Sequence, residues 1–301
     1  MKQKFAIIVF SILLVSAACS RVDAKILHEE RSLYSQLIVK EIGNTICLQF
    51  NVRSDQRNQS CIDPRRPKEM VFSYTRMSMA SLLYAQEPAS ILVVGLGGGT
   101  LPTAFHQLYP DAHIDTVEID TAVVKVAEEF FGFRPAENLK VHTIDARVWT
   151  KRALTRDRRY DLIILDAFNG EYIPEHLMTR EYLTETKQLL KANGVLVANT
   201  FAQSDLYHSE SATYASVFGS FINFRVPESA NRVILVPGEV LTKDELLARA
   251  EMMKNVLRPY SVPIKRYAQL IARQMNDKPD WRVDTRVLTD QFAPANLLRE
   301  Q

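Results

Sequence analysis

At 301 residues the chain is long enough for one large or two modest domains with a true core. Its composition, 47% hydrophobic and 24% charged, excludes a disordered chain. A net charge of +2 gives no electrostatic footing for nucleic acid or a membrane surface as partner.

The N-terminus reads as an export signal. Lys2 and Lys4 precede an apolar run over 5–18, followed by small residues up to Ala24. The run is shorter than the ~20 residues that a spanning helix needs. Cleavage after Ala24 would give a soluble periplasmic protein. Cleavage before Cys19 would give a lipid-anchored one, although Ser16 stands where a lipobox usually has a large aliphatic residue. The remaining alternative is a retained anchor with a cytoplasmic domain. Membrane association is expected only if Cys19 is lipidated or the signal is retained. In an oxidising compartment Cys47 and Cys61 are expected to form a disulfide; otherwise they are two buried thiols.

Residues 32–39 and 45–52 are β-rich runs separated by Gly43-Asn44 and read as a hairpin; 53–60 reads as a polar loop, with a short strand beginning at Cys61-Ile62. Residues 68–86 show helical periodicity through Met70, Tyr74, Met77, Ala80 and Leu83. The stretch 91–120 then carries the strongest signal in the chain. An apolar strand leads into Gly95, Gly97, Gly98 and Gly99, then a helix over 101–109, a strand over 113–117, and the acids Glu118 and Asp120. Strand, glycine turn, helix, strand and acid make the nucleotide-binding half of a Rossmann-like sheet. The glycines lack the spacing of a dinucleotide fingerprint and no Lys-Ser/Thr pair follows them, so a ligand without phosphate is expected. S-adenosylmethionine and its derivatives are that class.

Further along, helix is expected over 121–131, strand over 139–144, helix over 148–154, strand over 161–165, helix over 180–190, strand over 194–199 and helix over 207–221. A terminal strand pair at 224–227 and 232–236 and helices within 242–275 complete the pattern, and 287–296 runs back as a tail. This succession predicts an α/β fold: a class I methyltransferase-like Rossmann sheet preceded by a small N-terminal β domain. The expected divisions are a signal peptide at 1–24, the small β domain at 25–67, a nucleoside-binding domain at 68–240 and a helical extension with tail at 241–301.

Ligands of open α/β sheets sit beyond the carboxyl ends of the strands. Glu118 is placed to hold ribose hydroxyls, Asp145-Ala146 to receive the adenine amino group, and Asp166 to lie near the reacting carbon. Each acid has a competing role as a helix cap.

In Ser32-Leu33-Tyr34, Phe72-Ser73-Tyr74, Gly97-Gly98-Gly99, Val117-Glu118-Ile119-Asp120, Asp145-Ala146-Arg147, 160–167 and the tail Leu288-Thr289-Asp290-Gln291-Phe292-Ala293-Pro294, the chain resembles the spermidine synthases, or polyamine aminopropyltransferases. The resemblance implies decarboxylated S-adenosylmethionine as co-substrate, a polyamine acceptor such as putrescine, Asp166 as base, and dimers or tetramers, a homodimer being the expectation here; no metal is expected. Tyr74, Asn169 and Tyr172 are the candidates for the acceptor site. The chain departs from the family at Thr100 and Asn169, where carboxylates are usual, and at Ser35 and Thr75-Arg76. Glu171, Glu175 and Asp205 are candidate substitutes for the missing acids. A methyltransferase on the same fold and a non-catalytic exported protein that binds a nucleoside or amine are the rival expectations.

Overall fold

The computed structural model describes residues 24–50, 57–168, 173–202 and 206–293. Asn169, Glu171, Tyr172, Asp205, Cys19 and most of the expected signal segment lie outside them. Among the described residues no helix is long and apolar enough to cross a membrane.

Two sheets organise the chain. The first is antiparallel, with strands in the order of the sequence: β1 (Ala24–Arg31), β2 (Gln36–Ile42), β3 (Thr45–Phe50) and β4 (Asn58–Ile62). It is larger than the expected hairpin. Strand β1 begins at Ala24 and pairs with β2 along its length. It escapes a pattern-based reading because it is an edge strand whose residues are mostly exposed and do not alternate. Strand β4 begins at Asn58, inside the expected polar loop. Its polar start is accommodated because the Gln49 amide donates to Asn58 Oδ1 at 2.8 Å across the pair.

A short helix, α1 (Ser73–Ser78), and a 3₁₀ turn (Met79–Leu83) lead to the second sheet. The helix expected from residue 68 starts five residues late. Residues 70 and 71 lie outside it, and Arg76 Nη1 donates to both of their carbonyls at 2.7 and 3.1 Å. The second sheet comprises β5 (Ser90–Val94), β6 (His113–Glu118), β7 (Leu139–Thr143), β8 (Tyr160–Leu165), β9 (Leu190–Phe201), β10 (Ile222–Phe224) and β11 (Asn231–Val236). Its spatial order is β10-β11-β9-β8-β5-β6-β7, with only β11 antiparallel to its neighbours. The intervening helices are α2 (Thr100–Leu108), α3 (Thr121–Phe130), α4 (Ala146–Thr155), α5 (Arg180–Gln188) and α6 (Leu206–Phe218). Strand β10 precedes its expected place by two residues and ends before Pro227, which has no N–H for a ladder.

The C-terminal helices α7 (Lys243–Leu257) and α8 (Ile264–Gln274) share the core of this sheet. Leu246, Ala250, Leu257, Tyr267 and Ile271 join one apolar cluster with Met77, Leu82, Ile91 and Phe105. The tail is fixed as well: Asp290 accepts both Arg147 terminal nitrogens at 2.6 Å and the Thr179 hydroxyl at 2.7 Å. Two of the motifs singled out in the sequence, 145–147 and 288–294, are thus partners in one ion pair. The first sheet packs through Leu37, Val39, Leu48 and Phe50 onto Val123, Val126 and Phe131, from α3 and the turn after it. That contact brings β4 over the glycine turn.

Candidate active site

A cavity of about 340 Å³ lies between the two sheets, beyond the carboxyl ends of β5, β6 and β8. Its walls come from β3 and β4, from residues 71–75, from the glycine turn and from the segments following β6, β8 and the loop before α4. Four carboxylates line it: Glu118, Asp120, Asp145 and Asp166. Among the described lining residues there is no Lys or Arg. The field inside therefore favours a cation and disfavours a phosphate.

The glycine turn is built by sterics. Gly95, Gly97 and Gly99 have φ of +97°, +52° and +75°, where side chains are strained. Gly95 has a second constraint: a Cβ there would stand 2.3 Å from the Asp166 carbonyl oxygen. The glycine lets the ends of β5 and β8 meet, and Asp166 is held against the turn. Gly98 donates its N–H to Ser60 Oγ at 2.8 Å, and a Cβ on it would meet the Phe131 ring at 2.7 Å. The serine of β4 thus takes one of the turn's donors. Gly95, Gly97 and Leu96 line the cavity itself; Gly98 and Gly99 support it from behind.

Glu118 stands at the tip of β6. Its Oε2 accepts the Leu96 N–H at 3.0 Å and its Oε1 the Asp120 N–H at 3.1 Å. Burial pushes its carboxyl above the usual range, while these backbone donors pull it down. The Ile119 N–H is a third backbone donor to it, and the acceptor capacity that remains toward the cavity suits a ligand hydroxyl. Replacing Glu118 by Gln sets an NH₂ group against a backbone N–H. Nucleoside affinity is expected to fall about 10- to 100-fold, measured by calorimetry on the folded variant; an unchanged affinity removes Glu118 from the site.

Asp145 is a helix cap and also lines the cavity. Its Oδ1 caps α4, accepting from the Arg147 and Val148 N–H groups at 2.9 and 3.0 Å. Its Oδ2 lies 2.7 Å from His176 Nε2 at the cavity wall. Only Oδ2 is therefore available to a ligand, beside the backbone of Ala146. Asp120 is committed: it caps α3 through the Ala122 N–H and accepts the Ser32 hydroxyl at 2.5 Å.

Asp166 follows β8. Burial pushes its carboxyl up to about 7, and the Asn199 amide, donating to Oδ1 at 2.8 Å, opposes the rise. Tyr74 shares the cavity from α1; its hydroxyl donates to the Gln59 carbonyl at 3.3 Å. Burial and the nearby Asp166 charge both push the phenol well above its ordinary value. Thr100 lines the cavity at the first turn of α2, so a hydroxyl stands where the resemblance led to the expectation of a carboxylate. Arg76 points away from the cavity onto the 70–73 segment, and Glu175 does not line it. Cys47 and Cys61 face each other across β3 and β4 and are joined by a disulfide; Cys61 also lines the cavity.

The model of the spermine/spermidine synthase domain matches residues 68–240. A polyamine aminopropyltransferase of Vibrio vulnificus is 50% identical over 281 residues, covering 92% of either chain. The chain belongs to the spermine/spermidine synthase family. Among solved structures, a probable spermidine synthase from Corynebacterium glutamicum superposes with a TM-score of 0.63 at 20% identity, over 86% of this chain and 98% of that one, and shares its fold. Human methyltransferase-like protein 13 in complex with SAH gives 0.52 at 27% identity, over 73% and 97%.

Within this family member, the fold brings Gly95, Gly97, Glu118, Asp145, Ala146, Asp166 and Tyr74 to one cavity. Sequence reasoning missed Ser60, His176 and Asn199. None sits in a motif; Asn199 is brought by strand pairing, Ser60 by the docking of the first sheet, and His176 by the 3₁₀ turn that sets it against Asp145.

Proposed function

We propose that this protein transfers an aminopropyl group from decarboxylated S-adenosylmethionine to a primary amine of the polyamine class. The observation that carries the reading is Asp166: a carboxylate pushed up to about 7 by burial, in a cavity whose described lining holds four carboxylates and no Lys or Arg, next to the glycine turn. The similar protein from Vibrio vulnificus carries the name of that activity.

The donor brings a sulfonium and the acceptor arrives as an ammonium, both suited to this field. Glu118 would fix the ribose, and Asp145 with the Ala146 backbone would receive the adenine edge. The amine must lose a proton before or as it attacks. Asp166 is matched to that task because a base works best with a pKa near the operating pH. The amine nitrogen bonds to the propyl carbon as the carbon–sulfur bond breaks. Sulfur keeps the bonding pair and leaves as a neutral thioether, methylthioadenosine, and the amine proton passes to Asp166. Tyr74 and the apolar rings of Phe72 and Phe168 wall this part of the cavity.

The test is release of methylthioadenosine from decarboxylated S-adenosylmethionine with putrescine, cadaverine or spermidine. Release with at least one amine is expected. Methyl transfer from S-adenosylmethionine with no release from the decarboxylated donor would replace this reading with a methyltransferase. Binding of the donors without turnover would replace it with a non-catalytic protein.

A further inference from the structure

We propose that Asn231 is a positioning residue for Asp166, acting through Asn199; this rests on Asp166 being the base of the reaction above. The three residues lie on three adjacent strands or their ends. Asn199 is 3% exposed. Its Nδ2 donates to Asp166 Oδ1 at 2.8 Å, and its Oδ1 accepts from Asn231 Nδ2 at 3.0 Å. The register explains the contact. Asn199 on β9 is opposite Val233 on β11, so Asn231, two residues away, is its diagonal neighbour on the same face.

A side-chain amide has a donor end and an acceptor end of nearly equal shape. Turned one way, Asn199 offers N–H to Asp166 and favours the ionised base. Turned the other way, it offers a carbonyl, which suits only a protonated acid. In the orientation the structure shows, the Asn231 Nδ2 donor meets the Asn199 oxygen at 3.0 Å and so favours the turn in which Asn199 donates to Asp166. Asn231 therefore holds down the proton affinity that burial raises. Other groups that face Asp166 or share its cavity are Tyr74 on α1, Glu118 at the end of β6, Asp120 and Asp145 before α3 and α4, and His176 in the 3₁₀ turn (Glu175–Leu177). Glu210 on α6 lines a small cavity with Asn199 and is paired at 2.9 Å with Arg232, the β11 neighbour of Asn231; none of these side chains hydrogen-bonds the Asn231 amide.

The experiment compares wild type with Asn231→Leu, Asn199→Leu and the double variant. The Asp166 carboxyl is titrated by carbon-13 NMR, its signal assigned by its loss in Asp166→Asn, alongside the pH profile of kcat/KM. Asn231→Leu is expected to move the Asp166 titration and the acid limb upward by roughly half to one unit, a loss of about 3- to 10-fold in kcat/KM below the limb. Activity well above the limb and nucleoside affinity are expected to stay. Asn199→Leu moves the limb at least as far, and the double variant matches it, because Asn231 has no route to Asp166 except through Asn199. If the leucine disturbs β11, Asn231→Ser removes the reach with a smaller side chain and carries the same expectation. An unmoved titration in either Asn231 variant, or an equal further shift in the Asn199→Leu background, overturns the proposal. Turnover that survives in Asp166→Asn overturns the base itself, a separate result.

Discussion

Replacing Asp166 by Asn is expected to lower turnover by about 10²- to 10⁴-fold while leaving nucleoside affinity within a few-fold. The amide keeps the shape of the side chain but cannot take a proton. The wild-type profile of kcat/KM should rise with pH through the Asp166 pKa of about 7, since the base must be ionised to act. In the Asp166→Asn variant that limb should be missing. Stability should change in the opposite sense. A carboxyl whose folded pKa lies above its ordinary 3.8 binds its proton more tightly in the native state. Native stability therefore falls as pH rises from about 4 to 7, and the penalty is complete above 7. The amide variant does not carry it. Its melting temperature should exceed that of wild type at pH 8, on the order of a few kcal/mol of added stability, and the gap should close toward pH 4. Equal melting temperatures at both pH values, with turnover retained, would remove Asp166 from the chemistry.

The second large effect concerns the disulfide. Cys47 and Cys61 are separated by 14 residues, and closing a loop of that size contributes roughly 3 kcal/mol in the chain-entropy view. The pair also fixes β4 on β3, and β4 carries Ser60, the acceptor for the Gly98 N–H. Substituting both cysteines by Ala is expected to lower the melting temperature by roughly 6–12 °C. It should also weaken nucleoside binding several-fold, because Ser60 loses its anchorage over the glycine turn. Wild type treated with a reductant should reproduce both changes. Full stability and affinity in the reduced protein would make the bond irrelevant to the site. A fall in stability with unchanged affinity would confine its role to the first sheet.

The glycine turn, the acids at strand tips and the parallel strands were legible because each leaves a local trace. An apolar run bounded by turn residues is enough to place β5, β6 and β8 within a residue or so. Strand β1 left no such trace, since an exposed edge needs no alternation. The start of α1 was misplaced because Met70 is fully buried without being helical, so its spacing to Tyr74 mimics a helix period. The capping of α4 by Asp145 and its contact with His176 depend on how a side chain divides its two oxygens. Spacing carries no information on that. The same holds for Asn199 and Asn231, which are ordinary strand residues until the register places them beside the base.

The insertion of β11 between β9 and β10 bears on how the enzyme is made. The base is supplied after β8, yet the amide pair proposed to tune it, Asn199 and Asn231, ends on a strand some sixty residues later in the chain. Such distant pairings form late, since loop closure must precede the contacts that reward it. A nascent or partly folded chain can thus hold the glycine turn and Glu118 in place before its reactive carboxylate is tuned. Nucleoside recognition would mature first during folding, and chemical competence last.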